Sequence, residues 1–214
     1  MQGQAFSPDL VSKGEAIMKF VHLKAADYVT STWAGGTTTQ LGIAPAGAVY
    51  ADRDFMWRIS SATVDLEISD FTALPDYNRL ISTLEGEIDV THNGGEVIHL
   101  APFHVHAFDG GWETRSVGRC RDFNLMMRKG ACAGQMNAVM VQPEASVEVA
   151  VDEAAKNYSH VDAILYCAEG AAKVEAEGQC LDLQAGESVM VQEAAAAKLL
   201  VSGTAKLMFT AAWY

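Results

Sequence analysis

The chain has 214 residues, half of them hydrophobic, enough to bury one large core or two small fused ones and too apolar for a disordered segment. Its 15 lysines and arginines stand against 27 aspartates and glutamates, a formal charge of -12 that repels phosphate backbones and anionic headgroups and argues against nucleic acid and membrane as partners. No apolar run approaches the ~20 residues that span a bilayer, and the N-terminus lacks a basic start, a hydrophobic stretch and a small-residue cleavage site, which points to the cytoplasm.

Residues 1–17 are mostly polar and precede a second methionine, Met18, an alternative start that would make them a dispensable extension. In the Trp33–Gln40 segment two glycines precede three threonines. Glycine permits close backbone approach and the hydroxyls, Thr38 among them, offer a cradle for an oxyanion; a tight turn entering an edge strand explains the same residues.

Strand signals follow at 55–64 (FMWRISSATV), 80–84, 87–91 and 122–128, with Asn93-Gly94-Gly95 as a hairpin turn. In the first of these the period of two puts Arg58, Ser60 and Ala62 on one face and Trp57, Ile59 and Ser61 on the other. A guanidinium is expensive to bury there unless paired, so Arg58 either lines a polar lumen and meets a ligand or is clamped by an acid such as Asp122. In 122–128, Asp122, Asn124 and Met126 share a face opposite Phe123, Leu125 and Met127, the apolar set that belongs in a core. Asn124 both donates and accepts, which suits orienting a carboxylate, formyl or amide group or a cross-strand hydrogen bond; Met126 supplies an adaptable wall. Trp57 and Trp112 read as core or lid aromatics, and Arg115, Arg119 and Arg121, interleaved with acids, as a solvated face. The four cysteines show no Cys-x-x-Cys pair and read as buried thiols.

All seven arginines lie between Arg53 and Arg128, whereas residues 131–214 carry four lysines, so an anion would choose the first half and the second reads as scaffold. The halves share one pattern. LISTLEGEIDVTHNGGEVIHLAPFHVHAF is followed by YCAEGAAKVEAEGQCLDLQAGESVMVQ, with Glu169-Gly170 opposite Glu85-Gly86, Gly178 opposite the Asn93–Gly95 turn and Leu183 opposite Leu100. This hairpin rhythm predicts an all-β chain, a double-stranded β-helix (cupin) repeated twice: a bicupin, RmlC-like jelly roll. The expected division is an extension over 1–17, a cupin barrel with the ligand pocket over 18–130 and a cupin-like half over 131–214, with crossover strands between the barrels in 131–161. The terminal KLMFTAAWY strand is apolar enough to pair across a homodimer, although a buried sheet needs the same residues.

Residues 33–130 carry the phrases WAGGTTTQL, ADRDFMWRISSATV, SDFTALPDYNRLISTLEG, FDGGWETRSVG and DFNLMMRKG, which together resemble the HutD/Ves family. Better-known members follow a glycine-rich loop with a Thr-Arg pair; this chain has Thr37-Thr38-Thr39-Gln40, so that arginine's contact does not carry over. The resemblance implies a bicupin that handles a small acid, with formylglutamate or another histidine-degradation acid as candidate and a role in regulating or buffering histidine utilisation.

Metal-binding cupins hold their ion with histidines and a glutamate seven residues before the motif glycine. Counting back from Gly86 lands on Arg79, and 71–78 contain no histidine. The pair His104 and His106 lies in the wrong register, near a barrel rim. A guanidinium in the carboxylate's place inverts the preference from cation to anion, so no metal and no cofactor is expected. The expected ligand residues are Arg58, Ser60, Arg79, Asn124, Met126 and Thr38. A second reading is a metal-independent hydrolase or isomerase acting on a small carboxylic acid, with Asp76, Tyr77, His104 or His106 as base.

Overall fold

A computed structural model describes residues 18–149 and 155–214; the 1–17 extension and its dispensability lie outside the described residues. Seventeen strands are described: β1 (Lys19–Leu23), β2 (Val29–Trp33), β3 (Gly36–Ala44), β4 (Trp57–Val64), β5 (Ile68–Asp70), β6 (Tyr77–Glu85), β7 (Ile88–His92), β8 (Val97–Leu100), β9 (His106–Asp109), β10 (Thr114–Val117), β11 (Cys120–Arg128), β12 (Ala133–Val141), β13 (Glu144–Glu148), β14 (Val161–Ala176), β15 (Gln179–Gln184), β16 (Ser188–Gln192) and β17 (Lys198–Trp213). They form a six-stranded sheet in the order β2-β3-β4-β11-β6-β9, a four-stranded sheet β5-β10-β7-β8, and a seven-stranded sheet built on β1-β16-β14-β17-β12. The first two enclose the lumen of the first half, and the third curls around the core of the second. The all-β cupin fold expected from the sequence is the one observed.

The alternation read from the sequence explains why the six-stranded sheet can be buried on both faces. Trp57, Ile59, Phe123, Leu125 and Met127 point to the second half and pack against Ile164, Tyr166 and Met208. The opposite face carries Arg58, Ser60, Asp122, Asn124 and Met126, all buried. The anticipated turn is present: Asn93 and Gly94 take positive φ values of 52° and 66° between β7 and β8. Gly86 and Gly170 correspond closely, with φ of 73° and 78°. At each a methyl group would run into a backbone carbonyl of the neighbouring segment, Arg119 O just before β11 or Thr204 O in β17, and the adjoining ladder shifts register.

Three particulars differ from expectation. β1 pairs along its length with β16, Lys19 opposite Gln192, so 19–23 add to the second half's sheet rather than the first barrel. β12 pairs with β17 from Ala133 to Val141, and β13 (Glu144–Glu148) with the outer part of β17, so these two strands of the expected crossover stretch belong to the second half's sheet instead of crossing between barrels. The apolar C-terminal strand takes the second of its two expected places, central in a buried sheet, with β12 on one edge and β14 on the other. Of the cysteines only Cys132 and Cys167 are buried; Cys180 is exposed because it lies on the outer face of β15. No helix among the described residues is long and apolar enough to cross a membrane.

Candidate functional site

A cavity of about 290 Å³ opens between the buried polar face of β3, β4, β11 and β6 and the strand β5 with the residues that follow it. Its wall contains Thr38, Arg58, Ser60, Arg79, Asn124 and Met126 together. The strand ladder explains the meeting: Met126 is the cross-strand partner of Arg58 on one side and of Arg79 on the other, and Asn124 is the partner of Ser60. Arg58 and Ser60 are two residues apart in β4, and Asn124 and Met126 two apart in β11, so alternation sends each pair to one side and the ladder registers bring the two pairs together.

Arg79 is 6% exposed, yet the only hydrogen bond of its side chain among the described residues is a long one, Nε to Asn124 Oδ1 at 3.5 Å. Its guanidinium packs against the rings of Phe71 and Phe108, with carbon-to-centroid distances of 5.2 and 5.0 Å. Burial draws its pKa down to about 10, while Asp122 and Tyr50 pull it up, so it stays a cation at neutral pH. Arg58 donates from Nε to Gln40 Oε1 at 2.9 Å and from Nη1 to Ser60 Oγ at 3.2 Å, and stacks over Tyr50 at 4.2 Å. It is therefore held by neutral groups, not by the acid clamp that was one of two expectations, and burial lowers its pKa also.

Asp122 is the acid of this cavity. Its Oδ1 accepts from the Ala62 amide at 2.9 Å, and both arginines attract it, but burial outweighs them and pushes its carboxyl up to about 6. Two guanidinia against one carboxylate, itself mostly ionised at neutral pH, leave the cavity with a net positive charge there. Asp70, also on the wall, is spent on an exposed ion pair with Arg115 at 2.7 Å.

The Trp33–Gln40 segment proves to be a hairpin turn rather than a backbone cradle. Trp33 pairs with Gly36, whose α-hydrogen faces the Thr63 carbonyl so closely that a methyl group could not fit. Only Thr38 of its threonines reaches this cavity; Thr37 and Thr39 point through the sheet to the other side. Sequence reasoning passed over Tyr50, Ser69 and Phe71, and treated Asp122 only as a clamp. For Asp122 the signal was there, since it shares a face with Asn124 and Met126. Ser69 has a buried Oγ without a partner, and neither it nor Tyr50 sits in a periodic run that would have marked it.

The expected His104–His106 pair separates. His104 lies in an exposed loop with Nδ1 on Pro102 O at 3.2 Å, and His106 opens β9 facing the interior. There it meets His92, Nε2 to Nε2 at 2.8 Å, while His92 Nδ1 bonds Thr114 Oγ1 at 2.8 Å. Burial lowers both histidines' pKa values, and His106 and Arg79 lower that of His92 further. Phe108 stands between this pair and the cavity. Among the bases weighed for catalysis, Tyr77 is buried with its hydroxyl on Phe55 O and Arg128, and neither Asp76 nor the histidines line the cavity.

Among the described residues no three of His, Cys, Asp and Glu stand close enough to hold a metal ion. The cavity's own donor set does not suit a divalent cation either, because two guanidinia face the space an ion would fill.

Residues 25–209 match the HutD family model. The structure is similar to that of a conserved protein of unknown function from Pseudomonas aeruginosa PAO1, with 22% identity, a TM-score of 0.75 and coverage of 91% of this chain and 98% of that one. It is similar to HutD from Pseudomonas fluorescens SBW25 (formate condition), at 22% identity and a TM-score of 0.69 over 90% of this chain and 98% of that one. A cupin 2 conserved barrel domain protein from Leptotrichia buccalis shares the fold more distantly, at 11% identity and a TM-score of 0.52 over 86% and 91% of the two chains. No curated relative matches the chain.

Proposed function

The chain belongs to the HutD family, and from that premise we propose that it is a metal-free cupin that binds a small anionic metabolite in the cavity of its first half, in the cytoplasm. The observation that carries this reading is Arg79: a guanidinium withdrawn from water, packed against two aromatic rings and left with one long hydrogen bond. A buried cation with unused donors is costly, and a carboxylate would meet it with a planar pair of acceptors. Arg58 and Ser60 line the same wall for a second oxygen function, and Asn124 stands between to orient a formyl or amide group. Formylglutamate or another acid of histidine degradation has these groups, and occupancy would regulate or buffer histidine utilisation. Two charge-assisted contacts support micromolar affinity, on the order of -8 kcal/mol after ordering costs.

The test is thermal denaturation with formylglutamate, formate, glutamate and urocanate. A rise in melting temperature with one of these acids at millimolar concentration, lost in Arg79→Ala, supports the proposal. No rise with any of them sinks it.

One observation favours a metal-independent enzyme as the second reading. Asp122, with its carboxyl near 6, has the proton affinity of a general base or acid and lies on the cavity wall. Turnover of a bound acid that disappears in Asp122→Asn while binding persists would select it.

A further inference from the structure

The sheet that carries Arg58 and Asp122 has a second cavity on its opposite face, at the seam between the two halves, of about 170 Å³. Its wall is hydroxylic: Tyr28, Thr37, Thr39, Thr63 and Tyr166 surround Arg121. Strand alternation produces part of this arrangement, because four of these residues are sequence neighbours of ones facing the first cavity: Thr37 and Thr39 beside Thr38, Thr63 beside Ala62, Arg121 beside Asp122.

Arg121 is unlike Arg115 and Arg119, which lie on the surface with Asp70 and Glu67. Its Nη1 donates to Tyr166 Oη at 3.3 Å and its Nη2 pairs with Glu85 at 2.7 Å, but its Nε–H is buried with no acceptor. The second half contributes Tyr166 and Gly186, and Tyr28 is fixed in place by its hydroxyl contacts with Leu23 O and Ser188. No carboxylate lies on the wall, so a cation has no counter-charge there, while the orphaned Nε–H calls for an oxygen acceptor. The hydroxyls can donate to or accept from whatever surrounds that oxygen, and the volume is that of about five or six waters.

We propose that this seam cavity is a second binding site, separate from the first and specific for a small hydroxycarboxylate, whose carboxylate accepts from Arg121 and whose hydroxyls are met by the threonines and tyrosines. Arg121 carries only part of a positive charge into the site because Glu85 offsets it, so the site selects by hydrogen bonding more than by charge.

Site-resolved titration tests it, following the Arg121 Nε–H and the backbone amides of nitrogen-labelled full-length protein in proton–nitrogen correlation spectra. The probes are glycerate, propionate (carboxylate alone) and glycerol (hydroxyls alone). Glycerate is expected to move the Arg121 Nε–H and the Thr39 and Thr63 amides with a dissociation constant at or below roughly 10 mM, and the other two to bind roughly tenfold more weakly. Arg121→Lys keeps a cation for Glu85 but removes the Nε–H, and should weaken glycerate roughly tenfold. Thr39→Val, whose hydroxyl otherwise bonds only Thr30 at the surface, should weaken it severalfold and gives the same test in a fold left intact. Shifts confined to Asn124 and Met126, glycerol binding as tightly as glycerate, no response at all, or unchanged affinity in the folded variants would each overturn the proposal.

Discussion

Arg58 and Arg79 stand two strands apart on one face of one sheet, each the cross-strand partner of Met126, which lies between them. With strands spaced about 4.8 Å apart, their Cα atoms are separated by roughly 10 Å. On the function proposed above, two guanidinia at that spacing over an apolar thioether suit a molecule with acceptor groups at both ends, and Asp122 moderates their charge from the same strand.

An acid built into the floor should replace the ligand. Met126→Glu places a carboxylate between the two arginines, and its melting temperature is expected to exceed that of Met126→Gln by several degrees at neutral pH. The same variant should no longer gain stability from added carboxylates. A Met126→Glu protein less stable than Met126→Gln would show that the two cations do not converge on that position.

Asp122 sets a pH dependence of definite sign. Its carboxyl is raised from 3.8 to about 6, so the stability linked to its protonated form is fully present below the unfolded value and is lost as pH rises through about 6. The loss is at most about 3 kcal/mol. Asp122→Asn removes it, and should melt higher than the parent at pH ~7.5 and no higher at pH ~4. Anion binding should strengthen as pH falls through about 6 and take up protons, which calorimetry in buffers of different ionisation enthalpy detects directly. Proton release on binding would contradict the assignment.

The His92–His106 pair runs the other way. Both pKa values are lowered by burial, so their contribution is present above the ordinary histidine value and is lost as pH falls through the depressed folded values. Since Thr114 Oγ1 donates to Trp112 O at 3.2 Å, it accepts from His92 Nδ1, leaving His92 Nε2 to accept from His106 Nε2–H. Imidazole nitrogen spectra should find His92 as the Nδ1–H tautomer and His106 as the Nε2–H tautomer at pH ~7.5. His106→Gln should flatten the acid loss of stability; an unchanged slope would place its cause elsewhere.

Gly86 and Gly170 should be equally intolerant of a side chain. Each has positive φ and presses against a backbone carbonyl of the neighbouring segment, so Gly86→Ala and Gly170→Ala are each expected to cost about 2 kcal/mol or more in denaturant unfolding. Gly94→Ala, at φ 66° in open space, should cost less. A variant at Gly170 as stable as the parent would break the correspondence between the halves.

Sequence alone determined whatever depends on neighbours along one strand. The period of two put Arg58 with Ser60 and Asn124 with Met126, and the count back from Gly86 turned Arg79 inward, because successive side chains of a strand alternate whatever surrounds them. Partnership across the sheets was decided only by the tertiary structure. Lys19 and Gln192 meet although nearly the whole chain lies between them, and His106 finds His92 rather than His104 beside it in the sequence. The same holds for Asp122, Arg121 and Ser69, whose chemistry here depends on how much water the packed sheets remove and which partners they leave. Local geometry repeats from residue to residue and can be read from the sequence; register and desolvation are set by the whole fold.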